Sequence, residues 1–85
     1  MIRVEIRVKP DLALKSKSVA ELIQKASNYE ASIWIENEGK KANAKSMLGI
    51  LALGIADGSV ITVIADGVDE ELAINDLREF IGTNV

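Results

Sequence analysis

Residues 2–8 read IRVEIRV, with Ile2, Val4, Ile6 and Val8 in step and Arg3, Glu5 and Arg7 between them. An alternation of period two places every apolar side chain on one side of an extended backbone. Such a strand needs a cover on one face and tolerates water on the other. Pro10 ends it, because proline cannot donate to a ladder. The fold must therefore contain a sheet with one buried face, and the next change of period says what buries it.

From Ser18 the spacing is helical. Val19, Leu22, Ile23 and Ala26 share a stripe, and Ser18-Val19-Ala20-Glu21 has the form of a capping box, so a helix is expected from Ser18 to about Asn28. A second strand follows, with Ala31, Ile33 and Ile35 inward and Ser32, Trp34 and Glu36 outward. Asn37-Glu38-Gly39-Lys40 is expected to turn the chain into a third strand at 40–43. Ser46 suits an N-cap and Gly54 a stop for a short helix over SMLGILAL, residues 46–53. Asp57-Gly58 turns into Val60–Ala65, almost continuously apolar and expected at the centre of the sheet, and Asp66-Gly67 turns again. Asp69 is expected to cap a last helix with Glu70 and Glu71 in its first turn, where acids suit the helix dipole. Its inner face is Ala73, Leu77, Phe80 and Ile81. The order βαββαβα, with four one-sided strands, fits an α+β open-faced sandwich in which helices cover one face of one sheet.

Eighty-five residues make one domain, 1–85, with room for a single core. Aromatics are only 4% of the chain, so that core must be aliphatic. No apolar run approaches the roughly 20 residues needed to cross a bilayer, and the opening MIRVEIRVK is not a signal peptide. A bacterial-type cytoplasm and no membrane partner are expected. The net charge of −3 argues against direct nucleic-acid binding. Cysteine and histidine are both absent. Thiol chemistry, disulfides and a His/Cys zinc site are thereby excluded, and no side chain has an unperturbed pKa near neutrality. No metal and no cofactor are expected.

Four local patterns carry possible chemistry. Gly39-Lys40-Lys41-Ala42-Asn43-Ala44-Lys45-Ser46 nearly spells a phosphate-binding loop, but Ala44 stands where a second glycine must let backbone amides wrap the phosphate. The segment also contains a strand, so a strand leading to a capped helix is preferred. Asp66, Asp69, Glu70 and Glu71 lack the alternating oxygens and interior glycine of a calcium loop, and a turn followed by a helix cap accounts for them. Met47, Leu48 and Leu51 make the short helix apolar nearly all round. They are either core or an exposed contact patch. Ser46 is an N-cap in the plain reading and a phosphorylation site in the sharper one, where a phosphate would meet the dipole of its own helix with Lys45 beside it.

The run GKKANAKSMLGILALGIADGSVITVIADGVDE, residues 39–70, resembles the corresponding run of HPr, the histidine-containing phosphocarrier family of the bacterial sugar phosphotransferase system. The similarity continues through Ile23-Gln24-Lys25-Ala26-Ser27-Asn28-Tyr29 and the last helix. It implies a four-stranded antiparallel sheet of order 1-4-2-3 with three helices on one face. The family carries His-Ala-Arg-Pro at the start of its first helix, where this chain reads Lys15-Ser16-Lys17-Ser18. Lys15 thus occupies the position of the active histidine. A lysine amine is neutral in only about one molecule in 2,500 at pH 7, and Ser16 and Ser18 have no base to activate them. No catalytic residue is assigned, and phosphoryl relay is not expected.

The resemblance implies a different role through Ser46, which an ATP-dependent HPr kinase/phosphorylase modifies in the Gram-positive branch. The modified form there serves a LacI-type catabolite control protein as corepressor. Crh proteins, HPr paralogues without the active histidine, keep that role alone, and this chain is Crh-like. It departs from the Crh pattern where Lys17 replaces an arginine, since an ammonium lacks the bidentate fork of a guanidinium. The partner surface implied is Lys17, Ala20, Met47, Leu48 and Leu51. The expected function is non-catalytic regulation of carbon catabolite control, by a monomer or weak homodimer. The rival is a constitutive anion- or protein-binding domain that uses Lys15, Ser16, Lys17 and Lys45 without a kinase. Residual phosphocarrier activity is a weaker alternative.

Overall fold

A computed structural model describes residues 1–10, 12 and 16–84. The elements are β1 (Ile2–Val8), α1 (Ser16–Ala26), β2 (Ser32–Asn37), β3 (Lys40–Asn43), α2 (Met47–Ala52), β4 (Val60–Asp66), α3 (Glu70–Ile81) and β5 (Gly82–Asn84). The strands lie in the order β3-β2-β4-β1-β5, and every neighbouring pair is antiparallel. The expected 1-4-2-3 arrangement is present. Beyond it, the short β5 adds an edge beside β1, which no alternation in Gly82-Thr83-Asn84 announces.

Register turns the alternation into layers. Val4 faces Val63, which in turn faces Ile35, and Ile2 and Ile33 flank Ala65. Ile6, Val8, Ile33, Ile35, Ile61, Val63 and Ala65 are buried in one cluster with Val19, Leu22 and Ala26 of α1, Ile50 of α2, and Ala73, Ile74, Leu77 and Ile81 of α3. All three helices thus cover one sheet face.

The other face has no helix but is not bare. Ile64, between Arg3 and Trp34 in the register, is only 1% exposed. The Trp34 ring beside it carries the Lys41 ammonium 5.1 Å from its centroid, and Arg3 pairs diagonally with Glu36 at 3.6 Å. This explains why the central strand reads as continuously apolar: one outward position is roofed by its own neighbours.

Three local expectations are corrected. Helix α1 begins at Ser16, so Ser18 is its third residue and not its N-cap. No glycine or proline interrupts residues 16–18, and the buried Val19–Leu22 stripe holds that turn helical. The same helix ends at Ala26, where Asn28 and Tyr29 donate to Lys25 and Ala26 in tightened i→i+3 bonds. On α3, Ile74 joins the buried face while Phe80 is only partly buried. The hairpin turn forms as expected, with Glu38 and Gly39 at φ 51° and 79°, the pair of positive angles that suits a two-residue connection of twisted strands.

Candidate functional site

Asn43 builds the approach to α2. Its carbonyl accepts from the N–H of Ser46 at 3.0 Å, and its Oδ1 accepts from the N–H of Lys45 at 2.8 Å. Ser46 is extended, at φ −115°, ψ 114°, and its Oγ accepts from the Gly49 N–H at 3.3 Å. The expected N-cap is therefore realised, by a long bond. Gly49 is packed close: a Cβ there would lie 3.2 Å from Ala42 Cβ and 3.3 Å from Ser46 Oγ.

Two residues dock α2 and three do not. Ile50 and Leu53 are 2% and 8% exposed, whereas Met47, Leu48 and Leu51 are 39%, 82% and 40% exposed. The core alternative is thereby set aside for these three residues, which face water. At the far end Leu53 caps the helix, and its carbonyl accepts from Asn37 Nδ2 at 3.2 Å in a buried bond. Asn37 is the one buried polar residue among the described residues, so β2 positions α2 through a side chain that the sequence marks only as a turn former.

Of the residues expected to bind an anion, Lys15 lies outside the described residues, and Ser16 is described as the first position of α1. Lys17 and Ala20 are exposed on α1. Lys45 is engaged elsewhere: its Nζ donates to the Tyr29 carbonyl at 2.8 Å. Tyr29 follows the C-terminal end of α1, and an 11-residue helix is ~16 Å long. Lys17 and Lys45 therefore stand near opposite ends of that helix and do not form one cluster.

The acidic run resolves into separate contacts. Asp69 sits at the N-cap position of α3 but makes no side-chain cap bond. It reaches across instead, accepting from the N–H groups of Glu30 at 2.8 Å and Ala31 at 2.9 Å. Hydrogen bonding from Glu30 is the main reason its carboxyl titrates below the ordinary value, with Ala31 and its own N–H helping and Lys45 adding attraction. Glu70 accepts from Gly67 N–H at 3.0 Å and lies 3.2 Å from the Met1 amine, and these contacts lower its pKa in that order. Tyr29 donates its hydroxyl to Asp76 at 2.7 Å, the largest cause of its raised pKa. Sequence reasoning missed Asp69, Tyr29 and Asn37 in these roles. Their partners lie 38, 47 and 16 residues away, and no local pattern signals such pairings.

Among the described residues no group of three or more acidic, histidine or cysteine side chains is placed to hold a metal. Ser46 is half-buried and stands beside the exposed Met47 and Leu48. Sheet, helices and this corner together define a small open-faced sandwich of the phosphocarrier type. The family model described as the PTS HPr component phosphorylation site matches residues 2–83, and the chain belongs to the HPr family. It is 40% identical to the HPr-like protein Crh of Halalkalibacterium halodurans over 95% of this chain and 96% of that one. HPr-C-His from Thermoanaerobacter tengcongensis superposes with a TM-score of 0.90 at 41% identity, covering 95% of this chain and 91% of that one. The Bacillus subtilis catabolite repression protein Crh, whose crystal structure is a dimer with a swapping domain, gives a TM-score of 0.76 at 30% identity, with 94% and 87% covered.

Proposed function

We propose that this chain is a non-catalytic, Crh-like regulator of carbon catabolite control, switched by phosphorylation at Ser46 and acting by docking a partner. The observation that carries the reading is Ser46 itself: a half-buried hydroxyl preceding exposed Met47 and Leu48, in a chain with no histidine. A phosphate there adds about two negative charges next to an apolar surface and changes which partner that surface accepts. The partners implied are an HPr kinase/phosphorylase and a LacI-type catabolite control protein, with Lys17, Ala20, Met47, Leu48 and Leu51 as the contact surface. Lys45, held by Tyr29, orders the loop before Ser46. The dimer seen for Bacillus subtilis Crh supports a weak homodimer here, and a cytoplasmic location goes with this role.

Relay through the start of α1 is absent from this function, because neither a lysine amine nor an unassisted serine is a labile phosphoryl carrier near neutrality. Incubation with an HPr kinase and ATP should add one phosphate by intact mass, and Ser46→Ala should abolish the gain. No gain would favour constitutive binding in its place. Phosphoenolpyruvate with the first enzyme of the phosphotransferase system should leave no acid-labile label, and a label would restore the phosphocarrier reading.

A further inference from the structure

The exposed large apolar side chains fall mainly into two groups. One is Met47, Leu48 and Leu51 on α2. The other lies where β4 passes into α3: Val68, in the turn before the helix, is 87% exposed, Leu72 in the first turn of α3 is 65% exposed, and Met1 is 72% exposed with its amine 3.2 Å from Glu70. Val68 and Leu72 do not serve the core, which α3 reaches through Ala73, Ile74, Leu77 and Ile81. The function proposed above does not use them.

The side-chain charge around this second group is mainly acidic, with the Met1 amine offsetting part of it. Asp66, Glu70 and Glu71 share the turn and the first helical turn with Val68 and Leu72, and Asp66 and Glu71 are exposed. The cations nearby are already engaged: the Met1 amine by Asp66 and Glu70, and Lys45 by the Tyr29 carbonyl. Glu71 has no partner among the described residues. An apolar pair with an acidic rim repels nucleic acid and anionic lipid alike. An isologous pairing of two copies would set the same acids against each other. What complements it is an apolar side chain flanked by positive charge.

We propose that Val68 and Leu72, rimmed by Asp66 and Glu71, form a second docking surface for a segment of a partner protein that offers an apolar anchor between lysines or arginines. The anchor gains by covering the exposed pair. The flanking cations steer the encounter and reject acidic competitors, a contribution that salt screens. The contact belongs to the small, transient class of interfaces. The contact does not use the Ser46 hydroxyl.

The test is a backbone-amide NMR titration of the whole protein with two synthetic amphipathic peptides of identical leucine spacing, one with lysine and one with glutamate at the polar positions. The lysine peptide should give saturable shifts at residues 66–75 that weaken as salt is raised. The combined Val68→Ser and Leu72→Ser variant should bind about tenfold more weakly, and Glu71→Lys, which keeps the apolar pair, should bind more weakly as well. Ser46→Ala should bind like the parent, separating failure here from failure of the phosphorylation reading. Four results would overturn the proposal: no saturable shift, shifts centred on Met47, Leu48 and Leu51, equal binding of the glutamate peptide, or the same residues shifting with anionic vesicles or with protein concentration alone.

Discussion

Asp69 holds Ala31 across the fold: Oδ1 accepts the Ala31 N–H at 2.9 Å, and Oδ2 takes the neighbouring Glu30 N–H at 2.8 Å. A residue expected to start α3 thereby fixes the start of β2. The backbone amides that precede a strand have no ladder partner of their own, and a carboxylate with two acceptor oxygens satisfies both.

This bracket should show in the acid limb of stability. The folded-state pKa of Asp69 is lowered, so the charged form stabilises the fold. That stabilisation is complete above the unfolded value of ~3.9 and is lost as the pH falls through the depressed folded value. Glu70, lowered as well, adds to the same limb. Asp69→Asn should lower the urea midpoint at pH 7 and flatten its fall between neutral and acid pH. An unchanged pH profile would show that the bracket contributes nothing in solution.

Gly67 presses on the same corner. A Cβ at this position would sit 2.6 Å from Ala31 Cα and 2.9 Å from Ala31 Cβ. Backbone must move to admit it, so Gly67→Ala should destabilise by about 1–3 kcal/mol in chemical unfolding. Gly39→Ala, where nothing lies within 4 Å, tests a different cost, since only its left-handed backbone resists substitution.

The division of α2 into docked and free faces predicts opposite behaviour from adjacent leucine-like positions. Ile50→Ala should cost about 2–5 kcal/mol. Leu48→Ser should change stability by less than about 0.5 kcal/mol while weakening partner binding. Calorimetric melting and a binding titration on the same two variants separate the effects.

Asn37→Ala removes the buried amide that donates to the Leu53 carbonyl. A buried acceptor left without a donor costs about 1–3 kcal/mol. Hydrogen exchange should rise specifically at Leu53 and Gly54, whose amides close the end of α2 on Ile50 and Leu51.

Ser46→Ala should lose at most about 1 kcal/mol, at the low end of N-cap effects, because its bond to Gly49 is 3.3 Å long. The loss of kinase labelling should be complete by comparison. A variant that unfolds would instead mark Ser46 as chiefly structural.

Much of this protein is local. Ile2 to Val8 declare a one-sided strand, Ser46 and Gly54 bracket a short helix, and Glu38-Gly39 turn a hairpin, because each depends on backbone preferences and side-chain period within a few residues. The absence of imidazole is likewise a property of composition, and it removes histidine relay before any folding is considered. Contacts between distant segments obey no such period. Tertiary packing decided that Asp69 serves β2 and not its own helix, that Lys45 points to Tyr29, that Asn37 anchors α2, and that Gly82–Asn84 adds an edge to β1. It also decided which of α2's apolar residues face water, since a helix apolar all round leaves its orientation to whatever shape the sheet and α1 present.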